Sequence, residues 1–100
     1  MEVHITETEG TMTARLVGRL DTPAAVEVTH EIQPLLDHAE KTLVLDCKDL
    51  SYISSSGLRI FLTIRKAAGA KGGKVIVKDI NNEIRQVFMM TGFLNLFEIQ

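Results

Sequence analysis

The spacing of apolar positions along the chain switches repeatedly between two and three-to-four. Residues 3–7 and 12–18 alternate. In "TMTARLV", Met12, Ala14 and Leu16 fall on one side and Thr11, Thr13 and Arg15 on the other, which predicts strands. Glu9-Gly10 between the two runs is a hairpin turn signal. "GRLDTPAAVEVTHEIQPLL" then takes helical spacing through Val28, Ile32, Leu35 and Leu36. It predicts a helix over 22–38, with Thr22 as N-cap and Pro23 at the first helical position. Pro34 predicts a bend or a tightened end near Gln33.

The second half repeats the switch. "TLVLDC", 42–47, is short, apolar and rich in β-formers, and reads as a strand buried on both faces. "KDLSYI" reads as the connection to a helix that starts at Ser54 or Ser55 and runs to about Gly69. That helix carries a narrow stripe of Arg59, Thr63, Lys66 and Ala70, and nearly everything else on it is apolar. The apolar arc is wider than one sheet face needs, so neighbouring helices or a partner must cover the excess. "AKGGKVIVKDI" supplies a Gly-Gly turn and a strand over 74–78. "NNEIRQVFMMTG" predicts a third helix, capped by Asn81 or Asn82, with Ile84, Val87 and Phe88 inward and Gly92 just past its end. Met89 and Met90 read as core and edge filler, and "LNLFEI" as a closing strand. The order β-β-α-β-α-β-α-β predicts an α/β fold: a mixed central sheet with right-handed crossovers and helices packed on it. One hundred residues make a single domain over 1–100.

Composition narrows the function. A net charge of −2 offers no basic excess for nucleic acid. One cysteine, Cys47, excludes an intramolecular disulfide and fits a reducing compartment. No run approaches a membrane span, which argues against direct membrane insertion, and "MEVHITETEG" lacks the basic and apolar regions of a signal peptide. The expected location is cytoplasmic. His4, His30 and His38 have no ligand spacing, so no metal is expected. Asp46 and Asp49 suit turn and capping roles better than a cation site. Cys47, ending a strand, reads as a small apolar filler. "GAKGGK" lacks the spacing of a phosphate loop. The serines have no nucleophile elbow and no His/Asp partners, so no enzyme and no cofactor is expected.

The chemistry concentrates in "YISSSGLRIFL", Tyr52 to Leu62. With Ser54 as N-cap, Ile53 and Leu58 fall where a hydrophobic staple clamps the first turn. Ser55 and Ser56 are then spare hydroxyls at the positive end of a helix, where the dipole and free N–H groups suit a phosphate. Gly57 leaves room for another backbone or a ligand to come close. Locally, a polar cap in an exposed loop explains the same residues.

"VLDCKDLSYISSSGLRIFL" resembles the core motif of the STAS domain family, in particular its anti-anti-sigma factors (anti-sigma factor antagonists), in which an apolar strand ending in Asp leads to Asp/Ser-Ser-Ser/Ala-Gly-Leu. "ARLVGRLDTPAA" is similar to the family's Gly-x-Leu-Asp segment, and "IRQVFMMTGFLNLFEI" to its last helix, Thr-Gly turn and closing strand. The resemblance implies the STAS fold and a partner-switching role. The unphosphorylated protein binds an anti-sigma factor that is also a serine kinase, and so frees a sigma factor. Phosphorylation of the serine two before the glycine abolishes binding, and a PP2C-type phosphatase restores it. That serine is Ser55 here, with Ser56 as second choice. Ser54 stands where the family often has Asp, which removes one negative charge beside the acceptor. Asp21 matches the family carboxylate near the acceptor and is expected to order its loop and contact the partner. The expected partner surface is Asp21, Thr22, Ser54, Ser55, Ser56, Gly57, Arg59 and Thr63. The rival readings are a STAS subunit of a lipid ABC transport complex and a nucleotide-binding STAS module.

Overall fold

The computed structural model describes residues 1–100. Strands β1 (Glu2–Thr8) and β2 (Thr11–Leu20) form an antiparallel hairpin. Glu9 and Gly10 join them with φ of 27° and 80°, both positive, as a two-residue type I′ turn requires. The long β2 then serves two parallel neighbours. Thr11–Arg15 pair with β3 (Thr42–Asp46), and Gly18–Leu20 pair with β4 (Leu50–Ile53), with a register shift between Gly18 and Arg19 that leaves Ser51 without a strand partner. Beyond β3 lie β5 (Lys74–Lys78) and the two-residue β6 (Glu98–Ile99), both parallel. The sheet order is β1-β2-β3-β5-β6, with β4 beside the end of β2.

The parallel strands advance across the sheet in one direction, so right-handed crossovers put every connecting helix on the same face. These are α1 (Thr22–Glu31), α2 (Gln33–Asp37), α3 (Ser55–Lys71) and α4 (Asn82–Thr91), the last followed by a 3-10 turn at Phe93–Asn95. Burial follows this layering. Ala14, Leu16, Leu43, Leu45 and Val77 lie beneath the helices at 1% exposure or less, while Thr13, Arg15, Val44 and Asp46 between them face the open side. All four phenylalanines, Phe61, Phe88, Phe93 and Phe97, interlock under α3 and α4, with Phe61 and Phe88 edge-to-face at a centroid distance of 6.1 Å.

The mixed α/β architecture with helices on the sheet is as expected, and several local expectations are corrected. Strand β3 is buried on one face only, because no helix layer covers the other. The helix expected over 22–38 does yield to Pro34 near Gln33, as expected, but as a full break into two helices at Ile32 and not a bend. Pro34 has no N–H for the carbonyl of His30, and its ring crowds that turn, so the helix stops and restarts with the proline in its first turn. The cap of α1 is Asp21 and not Thr22; Asp21 is still extended (φ −85°, ψ −178°), and Pro23 is therefore the second helical residue. "LSYI", expected to be loop, is strand β4. The closing strand shrinks to two residues because "FLN" winds into the 3-10 turn. Met89 and Met90 are not filler: they are 63% and 87% exposed.

Candidate functional site: two helix starts at one end of the sheet

The parallel strands deliver their helices at one end of the sheet. Strands β2 and β4 finish side by side, with Leu20 opposite Ile53 and the amide of Ser54 donating to the carbonyl of Leu20 at 2.9 Å. The residues that follow, Asp21 and Ser54, are thus neighbours, and each caps a helix. Asp21 Oδ1 accepts from the amide of Ala24 at 2.9 Å. Ser54 Oγ accepts from the amide of Gly57 at 3.2 Å, and its carbonyl accepts from Leu58 N at 2.9 Å. Ser54 is extended (φ −88°, ψ 172°) and buried, as a cap locked between two strands should be.

With that cap filled, the next residues divide. Ser55 is exposed and Ser56 half-buried. Their amides have no carbonyl one turn earlier in the helix, so they point outward as free donors at its positive end. Gly57 faces the other way. A Cβ there would stand 2.7 Å from Leu20 Cγ and 2.8 Å from Ile53 Cγ1. What comes close at Gly57 is therefore the protein's own core, which corrects the expectation of a ligand or a second backbone there. The glycine sets the first turn of α3 down on the strand ends.

Around the serines, Thr22 is exposed beside Asp21, and Arg59 is exposed one turn beyond Ser55 on the same side of α3. Thr63 follows, also exposed, with its hydroxyl donating to the carbonyl of Arg59 at 3.0 Å. Two features were not anticipated. The guanidinium of Arg19 lies 4.5 Å over the ring of Tyr52, which is 40% exposed two residues before Ser54. Asn81, besides capping α4 through Ile84 N at 2.8 Å, donates from Nδ2 to the carbonyl of Leu50 at 3.2 Å, so α4 is tied to β4. Both features depend on β4 being a strand, and the signal for that was the tyrosine and isoleucine of "LSYI".

The other candidates have structural roles. Asp49 Oδ2 accepts from Arg15 Nε at 3.0 Å and Nη2 at 2.7 Å, and Asp46 accepts from the amide of Lys48 at 3.1 Å within its turn. Cys47 is fully buried; burial, then Asp46 and Asp79, push its thiol up to about 12, which suits an inert core filler. No three His, Cys, Asp or Glu side chains converge as a metal site, and His4, His30 and His38 are all exposed.

The STAS domain family model matches residues 2–100. BtrV of Bordetella bronchiseptica is 30% identical over 99 residues, covering 99% of this chain and 85% of that protein. The anti-sigma F factor antagonist of Paenibacillus polymyxa is 26% identical over 100 residues, covering 99% of this chain and 86% of its own. Among solved structures, the Bacillus protein SpoIIAA has the same fold in both its states. Its unphosphorylated form gives a TM-score of 0.76 at 21% identity, over 99% of this chain and 87% of that one. Its phosphorylated form gives 0.75 at 23% identity, over 99% and 91%.

Proposed function

This chain belongs to the STAS domain family, and we infer that it is an anti-sigma factor antagonist whose binding is switched by a phosphate on Ser55. The observation that carries the reading is the division of labour among the serines. Ser54 holds the helix, which leaves an exposed Ser55 hydroxyl beside free amides. The docking surface is Asp21, Thr22, Ser55, Ser56, Arg59 and Thr63; Ser54, expected there too, is buried with its hydroxyl committed to the cap, and with Gly57 it supports the surface from beneath. The protein performs no chemistry of its own in this reading. A serine kinase, which is also the anti-sigma factor, supplies ATP and Mg²⁺, and a PP2C-type phosphatase reverses the modification. No helix is long and apolar enough to cross a membrane.

The switch follows from where the charge falls. A phosphoserine adds about −1.5 to −2 of charge. At the start of α3 it meets the helix dipole, the free amides and Arg59 four residues on, offset in part by Asp21 on the neighbouring strand end, a combination expected to be neutral or favourable by up to about 2 kcal/mol. Across a docked interface the same charge, desolvated or set against carboxylates, costs several kcal/mol, and each ~1.4 kcal/mol is tenfold in affinity. The fold therefore survives while binding is lost. Calorimetric titration of the cognate anti-sigma factor with unmodified protein, phosphoprotein and Ser55→Glu tests this. Unmodified protein should bind at least about 100-fold more tightly than phosphoprotein. Equal affinities for these two would rule the switch out. Intact-mass analysis of protein from native cells should show a phosphoryl adduct that maps to Ser55.

A further inference from the structure

Strand β1 closes one side of the sheet, and β2 is its only strand partner. The hairpin determines which of its backbone groups point outward. In a two-residue turn the flanking residues, here Thr8 and Thr11, form a hydrogen-bonded pair. Counting in twos, Thr6 with Thr13, His4 with Arg15 and Glu2 with Val17 are bonded likewise. The far side of β2 agrees: Gly10 O accepts from Thr42 N, Gly18 N donates to Asp49 O, and Leu20 O accepts from Ser54 N. Even-numbered residues there bond away from β1, and odd-numbered ones bond toward it. Val3, Ile5 and Glu7 therefore direct their N–H and C=O groups outward, with no strand to receive them.

We propose that a second copy of this chain pairs antiparallel with this edge about a two-fold axis at Ile5, giving one sheet that runs through both copies with all helices on one face. In this register Ile5 lies opposite Ile5, and Val3 of each copy lies opposite Glu7 of the other. Every outward residue finds a bonded partner. A slip of two residues either way leaves one of them outside the strand pair, and a slip of one turns the faces over. The side chains fit the same register. On the helix side Ile5, half-buried at the rim of the core, covers its counterpart on the axis, and Val3 lies diagonal to it and opposite Glu7, whose carboxylate is paired with Lys41 of its own chain. On the open face Glu2 meets Thr8 and His4 meets Thr6, so no like charges stand opposed. "EVHITET" has no proline, lysine or bulge to protect its edge; its charges are Glu2 and Glu7, and Glu7 is neutralised by Lys41. The other edges offer less: β6 is two residues long, and the outer side of β4 is held by Asn81.

One strand pair belongs to the class of small interfaces, under about 1,200 Å², so the association is weak and reversible. Sedimentation equilibrium over a concentration series, with amide exchange followed by NMR, tests it. The mass should rise from one chain toward two. The amides of Val3, Ile5 and Glu7 should slow at least about 10-fold as it does, while those of His4 and Thr6 are protected throughout. Ile5→Lys places two cations on the axis and should hold the protein as one chain. If that variant does not fold, Val3→Glu sets carboxylates opposite Glu7 twice per pair and should do the same. A mass of one chain up to about 1 mM overturns the proposal. So does a dimer in which the Val3, Ile5 and Glu7 amides still exchange quickly, because its contact would lie elsewhere.

Discussion

The starts of α1 and α3 share a plan and differ in their charge. Both helices leave the ends of paired parallel strands, where Leu20 faces Ile53. Both have an extended cap whose side chain accepts from the amide three residues on, Ala24 in one and Gly57 in the other. Neither carries an acidic residue in its first turn. At α1, however, the cap is a carboxylate, so the positive end of the helix already faces a negative charge, and Pro23 contributes no donor N–H. At α3 the cap is a neutral hydroxyl, followed by two residues with free amides. One start is electrostatically closed and the other is open. In this chain the cap of α3 holds the helix without a charge of its own, so the dipole at that end is left for a phosphate on Ser55 to meet, with Asp21 on the neighbouring strand end.

The largest effect expected from this difference is in modification itself. Incubation with the cognate kinase should place one phosphoryl group on Ser55 and none on Thr22, although both are exposed hydroxyls at the first position of a capped helix. Ser55→Ala should abolish the label. Retention of full labelling in that variant, with the phosphate mapping to Ser56 or Thr22, would mean that openness of the helix end does not choose the acceptor.

Next in size is the packing beneath the two starts. Gly57→Ala drives a methyl group to within 2.7 Å of Leu20 and 2.8 Å of Ile53, where two strand ends leave no slack. We expect a loss of about 1–3 kcal/mol, the usual cost of overpacking a core. At the matching position of α1, Ala24 already carries its methyl, and Ala24→Gly should cost only about 0.5–1 kcal/mol in helix propensity plus a little lost packing. Urea denaturation of both variants compares them. If Gly57→Ala is as stable as wild type, Gly57 is not what seats α3 on the strands.

Much of this was legible in the sequence, because the signals were local. The staple spacing of Ile53 and Leu58 pointed to Ser54 as the cap, which it is, and the serine order then made Ser55 the spare hydroxyl. Asn81 and Gly92 marked the ends of α4 by the same kind of capping logic. What escaped was decided by distant neighbours. "LSYI" has no alternation, since Leu50 and Ile53 are buried with Ser51 and Tyr52 exposed between them; it is a strand because the end of β2 pairs with it, and Ser51 is an extra residue opposite the step from Gly18 to Arg19. The cap of α1 slipped to Asp21 because β2 runs extended up to Leu20. The open face of the sheet was hidden because Val44 and Ile76 are apolar on a side that no helix covers, closed in by their neighbours along the strands. The wide apolar arc of α3 did signal incomplete cover: Leu62 is 39% exposed.

The finest test exchanges the character of the caps. Ser54→Ala removes the bond to the amide of Gly57 and should destabilise the protein by about 1 kcal/mol. Ser54→Asp keeps that bond and adds at α3 the charge that α1 already has. It should raise stability by about 0.3–1 kcal/mol, because the carboxylate meets the helix dipole. The informative quantity is the coupling between this change and a charge at residue 55. In wild type, Ser55→Glu enters an unmatched positive end and should leave stability unchanged or slightly improved. In the Ser54→Asp background the same glutamate meets a neighbouring carboxylate and a dipole already matched, so its contribution should fall by a few tenths of a kcal/mol or change sign. Thermal or urea unfolding of the four proteins in this cycle, at low salt where exposed charges are least screened, measures the coupling directly. A coupling of zero would mean that the two helix starts differ only in their hydrogen bonds, and that the neutral cap of α3 has no bearing on how it accommodates a phosphate.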